Sequence, residues 1–111
     1  MVKVVRLNSF LKSVKKILSE ETIEDLSCFL SENPTAGVVI KNSGGLRKVR
    51  WSIGNNKGKS GGCRIIYYFQ IENKPFYLIY GYAKNVQEDL TSEQLKNLSI
   101  FVKQLKDIDY E

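Results

Sequence analysis

The chain has no histidine, two cysteines, two prolines and one tryptophan in 111 residues. Without histidine there is no Ser/His/Asp or Cys/His relay, so any catalysis must rest on Lys, Arg, Tyr and carboxylates. Cys28 and Cys63 are separated by 34 residues and offer only two thiolates, too few for a zinc site, which leaves a pair of buried, reduced thiols as the expectation. Nothing in the sequence implies a metal or a cofactor. No apolar run approaches the ~20 residues needed to span a bilayer. Met1-Val2-Lys3-Val4-Val5-Arg6 lacks the apolar stretch and small-residue cleavage site of a signal peptide, which predicts a cytoplasmic protein that does not engage membranes.

A second absence is more specific. Between Glu32 and Glu72 there is no acidic residue, yet the 39 residues from Asn33 to Ile71 carry seven basic ones: Lys41, Arg47, Lys48, Arg50, Lys57, Lys59 and Arg64. The rest of the chain holds ten basic and twelve acidic groups, so the net charge of +5 arises wholly in this segment. A polyanion with closely spaced phosphates best matches such a field. A solvated basic loop is the plainer alternative, but aromatic and strand-forming residues interleave these charges.

Hydrophobic content of 42% with twelve aromatics describes a folded chain, and the length suits a single domain over residues 1–111. Val2 to Leu7 alternates weakly and predicts a short strand. Phe10, Val14, Ile17 and Leu18 recur at helical spacing, with Asn8 or Ser9 as N-cap. A second helix begins after Ser19, with Glu20 and Glu21 in its first turn and Ile23, Leu26, Phe29 and Leu30 as its apolar stripe. Asn33-Pro34 ends it.

From Gly44 the period changes to alternation. Leu46 to Ser52 predicts a strand with Arg47, Val49 and Trp51 on one face and Lys48 and Arg50 on the other. Ile53 to Gly62 reads as a glycine-rich basic loop. Cys63 to Ile71 reads as a nearly continuous apolar strand, Glu72 to Pro75 as a turn, and Phe76 to Ala83 as a further strand. Thr91-Ser92-Glu93-Gln94 is a capping box, flanked by Leu90 and Leu95 as a staple, and opens a helix along Leu95, Leu98, Phe101, Val102 and Leu105. The order β-α-α-β-β-β-α predicts an α+β domain, an antiparallel sheet carrying an N-terminal helical hairpin and a C-terminal helix.

Gly54-Asn55-Asn56-Lys57-Gly58-Lys59-Ser60 imitates a P-loop but has three residues before Gly-Lys-Ser where the motif has four, and a strand follows it where a helix should. Lys57 and Lys59 instead suit non-specific backbone phosphates, or merely decorate a hairpin loop. Lys48 and Arg50 share a strand face that Arg64 reaches if register permits, and Lys84 closes the next strand beside Tyr80 and Tyr82. Such a cluster could hold a phosphate and stabilise charge developing on it, or could serve only for binding. Composition favours neither.

Gly44-Gly45-Leu46-Arg47-Lys48-Val49-Arg50, Lys57-Gly58-Lys59-Ser60-Gly61-Gly62-Cys63-Arg64-Ile65-Ile66-Tyr67-Tyr68, Phe76-Tyr77-Leu78 and Tyr82-Ala83-Lys84-Asn85 together resemble the RelE/HigB toxin superfamily. The similarity is to the HigB branch with its "GGLRK" strand, "GKxGGxRIIYY" strand and "Y-x-K-N" ending, and it spans nearly the whole chain. The resemblance implies a RelE-like fold and a ribosome-dependent mRNA endoribonuclease, paired with an antitoxin that carries a helix-turn-helix part. It implies that Arg64 contacts the scissile phosphate and that Lys48 and Arg50 activate the 2′-OH and stabilise the transition state, with Lys84 at the basic position after the last strand. Arg47, Lys57, Lys59, Tyr80 and Tyr82 are then candidate contacts to RNA or ribosome. Asn85 stands where some relatives have arginine, and Thr91 where some have tyrosine or histidine. The superfamily also contains ParE-type gyrase inhibitors, which usually lack the full basic cluster, and a non-catalytic RNA-binding module would need only the charges and aromatics.

Overall fold

The computed structural model describes residues 3–52, 62–70 and 75–109, with side chains as far as residue 106. In chain order the elements are β1 (Val4–Arg6), α1 (Asn8–Ser13), α2 (Glu20–Glu32), β2 (Val38–Val39), β3 (Leu46–Trp51), β4 (Cys63–Phe69), β5 (Phe76–Ala83) and α3 (Ser92–Asp109). The result is the expected α+β architecture. One five-stranded sheet, in the order β1-β5-β4-β3-β2, carries α1 and α2 on one face and α3 on the other. Among the described residues no helix is long and apolar enough to cross a membrane.

The antiparallel meander of β3, β4 and β5 follows from their short links and alternating patterns. β1 joins beside β5 in parallel, with Val4 opposite Phe76 and Arg6 opposite Leu78. β2 pairs antiparallel with β3 and was not expected. It is two residues long with Val38 72% and Val39 51% exposed, so it carries no buried face for alternation to reveal.

α1 is shorter than its apolar spacing suggests. Leu7 is its N-cap and makes no side-chain cap bond, so Asn8 and Ser9 lie inside the first turn. Ser9 is used elsewhere: its Oγ donates to the Ile79 carbonyl at 2.7 Å, and the Gly81 amide donates to Ser13 Oγ at 2.9 Å. These two serines satisfy the edge of β5 beyond the end of β1, where unpaired backbone would otherwise offer a template for another strand. Beyond Ser13 the chain forms a turn, closed by Leu18 N donating to Val14 O at 2.9 Å, which still buries Val14 and Leu18. The turn packs so closely on β5 that a Cβ at Gly81 would lie 2.5 Å from Val14 Cγ1.

Ser19 caps α2 by accepting from Thr22 N at 3.1 Å, and Glu20 and Glu21 occupy the first turn as expected. Ile23, Leu26 and Leu30 face the sheet and pack with Phe10, Ile65, Tyr67 and Leu78. Phe29 instead lies on the rim of that stripe, against Trp51 at 5.4 Å between ring centroids. Cys28 corrects the expectation of two buried thiols, because it falls on the outer side of α2 and is exposed. Cys63 is buried, and both are free. Burial pushes the Cys63 thiol up to about 11.

On the opposite face, Val102 and Leu105 of α3 pack on Leu46, Ile66, Tyr68 and Ile79. The capping box forms in full: Gln94 N donates to Thr91 Oγ1 and Thr91 N to Gln94 Oε1, each at 3.0 Å.

One irregularity determines which residues reach which face. The β4–β5 register shifts between Ile66 and Tyr67, so that Tyr67 pairs with Leu78 but Ile66 pairs with Tyr80. Ile79 is the extra residue of a bulge. A one-residue slip inverts the facing of all that follows, and here it moves Tyr80 and Tyr82 onto the α3 side while Gly81 turns to α1.

Candidate functional site

The registers of β3, β4 and β5 arrange the basic residues in transverse rows. Arg50 pairs with Arg64, which pairs with Tyr82; Lys48 pairs with Ile66, which pairs with Tyr80. Residues directly opposite one another in antiparallel strands project to the same side. Ile66, Tyr80 and Tyr82 belong to the cluster under α3, so Lys48, Arg50 and Arg64 share that face. They occupy the end of the sheet where the apolar packing gives way to solvent, with Arg50 exposed and Lys48 and Arg64 half-buried.

Lys84 follows directly after β5, in the turn beyond Ala83. Its backbone N donates to Gly62 O at 3.2 Å and closes the β4–β5 end, and the residue is half-buried. Tyr80 and Tyr82 flank the rows as a tilted pair with centroids 6.3 Å apart. The Tyr80 hydroxyl accepts from Gln94 Nε2 at 3.1 Å, which ties it to the capping box of α3.

Two sequence candidates lie elsewhere. Arg47 points to the other side of β3, where its guanidinium donates to Gly37 O at 2.7 Å and Thr35 O at 3.4 Å. It secures the segment after α2 and is not brought to the cationic rows. Lys57 and Lys59 lie outside the described residues.

Asp89 is the residue that sequence reasoning passed over. Its Oδ1 accepts from Lys48 Nζ at 3.1 Å and from Leu90 N at 3.0 Å. Those two hydrogen bonds, that from Lys48 first, hold its carboxyl below the usual aspartate range despite some opposing desolvation. The signal was available in principle, as an acidic residue just before a helix that closes over a basic strand. Sequence spacing alone could not bring residue 89 to residue 48.

Tyr82 is buried, and its phenol is pushed up to about 12, mainly by desolvation and next by the Asp89 charge, with Arg64 opposing. Its hydroxyl feels that carboxylate without making a hydrogen bond of ordinary geometry among the described residues. At neutral pH the phenol keeps its proton. Together the side chains can engage an oxyanion by Arg50 and Arg64 and present an ammonium at Lys48.

A sheet flanked by helices on both faces, with a cationic open end, defines a small α+β domain. The family model that matches the chain, over residues 9–111, is that of the RelE toxin of the RelE / RelB toxin-antitoxin system. The chain belongs to this family and is thus the toxin half of a toxin–antitoxin pair.

Proposed function

We propose that this toxin is a ribosome-dependent endoribonuclease that cuts translated mRNA in the cytoplasm and is neutralised by an antitoxin with a helix-turn-helix part. The observation that supports the reading best is the alignment of Arg50 and Arg64 on one open sheet face, with Lys48 in the adjoining row. In the reaction, a ribose 2′-hydroxyl gives up its proton to solvent as its oxygen attacks the adjacent phosphorus. The departing O5′ takes up a proton as the P–O5′ bond breaks, leaving a 2′,3′-cyclic phosphate and a 5′-hydroxyl. Negative charge grows on the non-bridging oxygens, where two guanidiniums can meet it with fixed, planar donors. Arg64 is assigned to that phosphate, with Arg50 and Lys48 beside the 2′-oxygen. Lys84, in the turn directly after β5, is assigned to the departing 5′-oxygen. Tyr80, which is half-buried, supplies a ring face for a base, whereas Tyr82 is buried in the packing under α3 and is withdrawn from that role.

Free RNA seldom adopts the in-line geometry this attack requires, and these side chains have no means of imposing it alone. A ribosome that stretches the codon would supply it. The test is to map new mRNA 5′ ends after brief induction of wild type and Arg64→Ala. Discrete ends inside translated regions with wild type, absent with a folded Arg64→Ala variant, support the reading. A halt in replication without such ends would point to gyrase, and growth arrest without either would point to a non-catalytic RNA-binding module.

A further inference from the structure

Asp89 lies in the link between β5 and α3, and three bonds fix this link. Gln87 Nε2 donates to Asp89 O at 2.8 Å and to Gln94 Oε1 at 2.9 Å, and Gln94 is itself held by the capping box. The backbone of Asp89 is therefore anchored, and its carboxylate is a fixed anion at the margin of the cationic face. Its side chain is 69% exposed, and among the described residues Lys48 alone of Lys48, Arg50, Arg64 and Lys84 is ion-paired.

An exposed ion pair of this kind contributes only about 0–1 kcal/mol, so the fold has little need of it. Its effect on a ligand is larger. The carboxylate offers Lys48 the same charge-assisted contact that a phosphate oxygen would, and an approaching strand must both displace it and tolerate its charge.

We infer that Asp89 is a specificity-determining residue that occupies the Lys48 ammonium and so withholds one phosphate contact from free single-stranded RNA. An RNA held in place by the ribosome arrives at high effective concentration and can displace a pair this weak, whereas RNA in solution cannot do so readily. The inference rests on the reading of this face as RNA-binding, and it supplies a reason for the toxin to ignore naked transcripts.

The experiment measures binding of the purified protein to a short 2′-O-methyl oligouridine, which cannot be cleaved, across a range of salt. Wild type is compared with Asp89→Asn, which keeps an oxygen to accept from Leu90 N. One added phosphate contact on a single strand steepens the log–log salt slope by about 0.7, which is about fivefold tighter binding at about 0.1 M salt. Lys48→Gln alone should weaken binding, since it leaves the Asp89 carboxylate unpaired beside the RNA. Lys48→Gln in the Asp89→Asn background restores the wild-type net charge and should return the slope to that of wild type. An Asp89→Asn protein with unchanged or weaker binding overturns the inference, since the carboxylate would then be neutral to RNA or would orient Lys48 for it. If no variant binds the oligouridine even at the lowest salt, the RNA-binding reading itself fails and the inference falls with it.

Discussion

Arg50 and Arg64 stand directly opposite one another across the β3–β4 ladder. Like charges in that position destabilise a sheet, by an amount comparable to the roughly 0.2–1 kcal/mol that a good cross-strand pair contributes. A fold that keeps both gives up some stability to hold two guanidiniums side by side on the open face.

Arg50→Gln is therefore expected to raise the unfolding free energy measured in urea by up to about 1 kcal/mol, while lowering cleavage. Arg64→Ala should reduce single-turnover cleavage on ribosomes by about 10²–10³-fold, the usual cost of removing one donor from developing charge, with a native circular dichroism spectrum. Wild-type cleavage from a folded Arg64→Ala protein would remove that residue from the reaction.

Tyr67 makes a second testable point. Its hydroxyl accepts from Gly37 N at 2.7 Å and donates to Pro34 O at 2.8 Å, clamping the segment after α2 to the sheet. Tyr67→Phe leaves both groups without their partner and should cost about 1–3 kcal/mol in urea denaturation. Gly37→Ala should be at least as damaging, because its Cβ would lie 2.8 Å from Tyr67 Cε1 and 2.9 Å from Lys48 O.

The two cysteines should behave differently. Exposed Cys28 is expected to react with a thiol reagent in the native protein, and buried Cys63 only on unfolding. Alkali tests the same burial. Cys63 is raised from 9.0 to about 11 and Tyr82 from 10.0 to about 12, so the unfolded chain loses these protons first. Stability is then full below about pH 9 and falls as pH rises through the folded values. Cys63→Ala should flatten the first part of that decline, and an unchanged pH profile would show that the thiol is not linked to folding.

Gln94 bonds the capping-box amide of Thr91, the Tyr80 hydroxyl and Gln87 at once. Thr91→Ala should lose about 0.5–2 kcal/mol as an ordinary cap deletion. Gln94→Ala should lose more, and should also weaken oligouridine binding by freeing Tyr80. Equal stability losses with equal, unchanged binding would confine Gln94 to the helix end.

Much of this protein is determined by local sequence. The capping box at Thr91, the Ser19 cap, the alternation along β3 and the acid-free stretch that carries the positive charge depend on neighbours within a few residues, so they are visible without a fold. The family motifs around Arg64 and Lys84 are equally linear. Other features are decided only by residues distant in the chain. β2 has no periodicity and exists because β3 offers an edge. Alternation alone sets Arg47 and Lys48 on opposite faces, but that the one meets the Gly37 carbonyl and the other Asp89 is decided by segments distant in the chain. Simple alternation along β5 would place Tyr80 and Tyr82 with Phe76 and Leu78, beneath α1 and α2. The bulge at Ile79 reverses that facing and delivers both tyrosines to the cationic rows. Register is a property of two paired strands packed against their helices, so no single strand's sequence contains it.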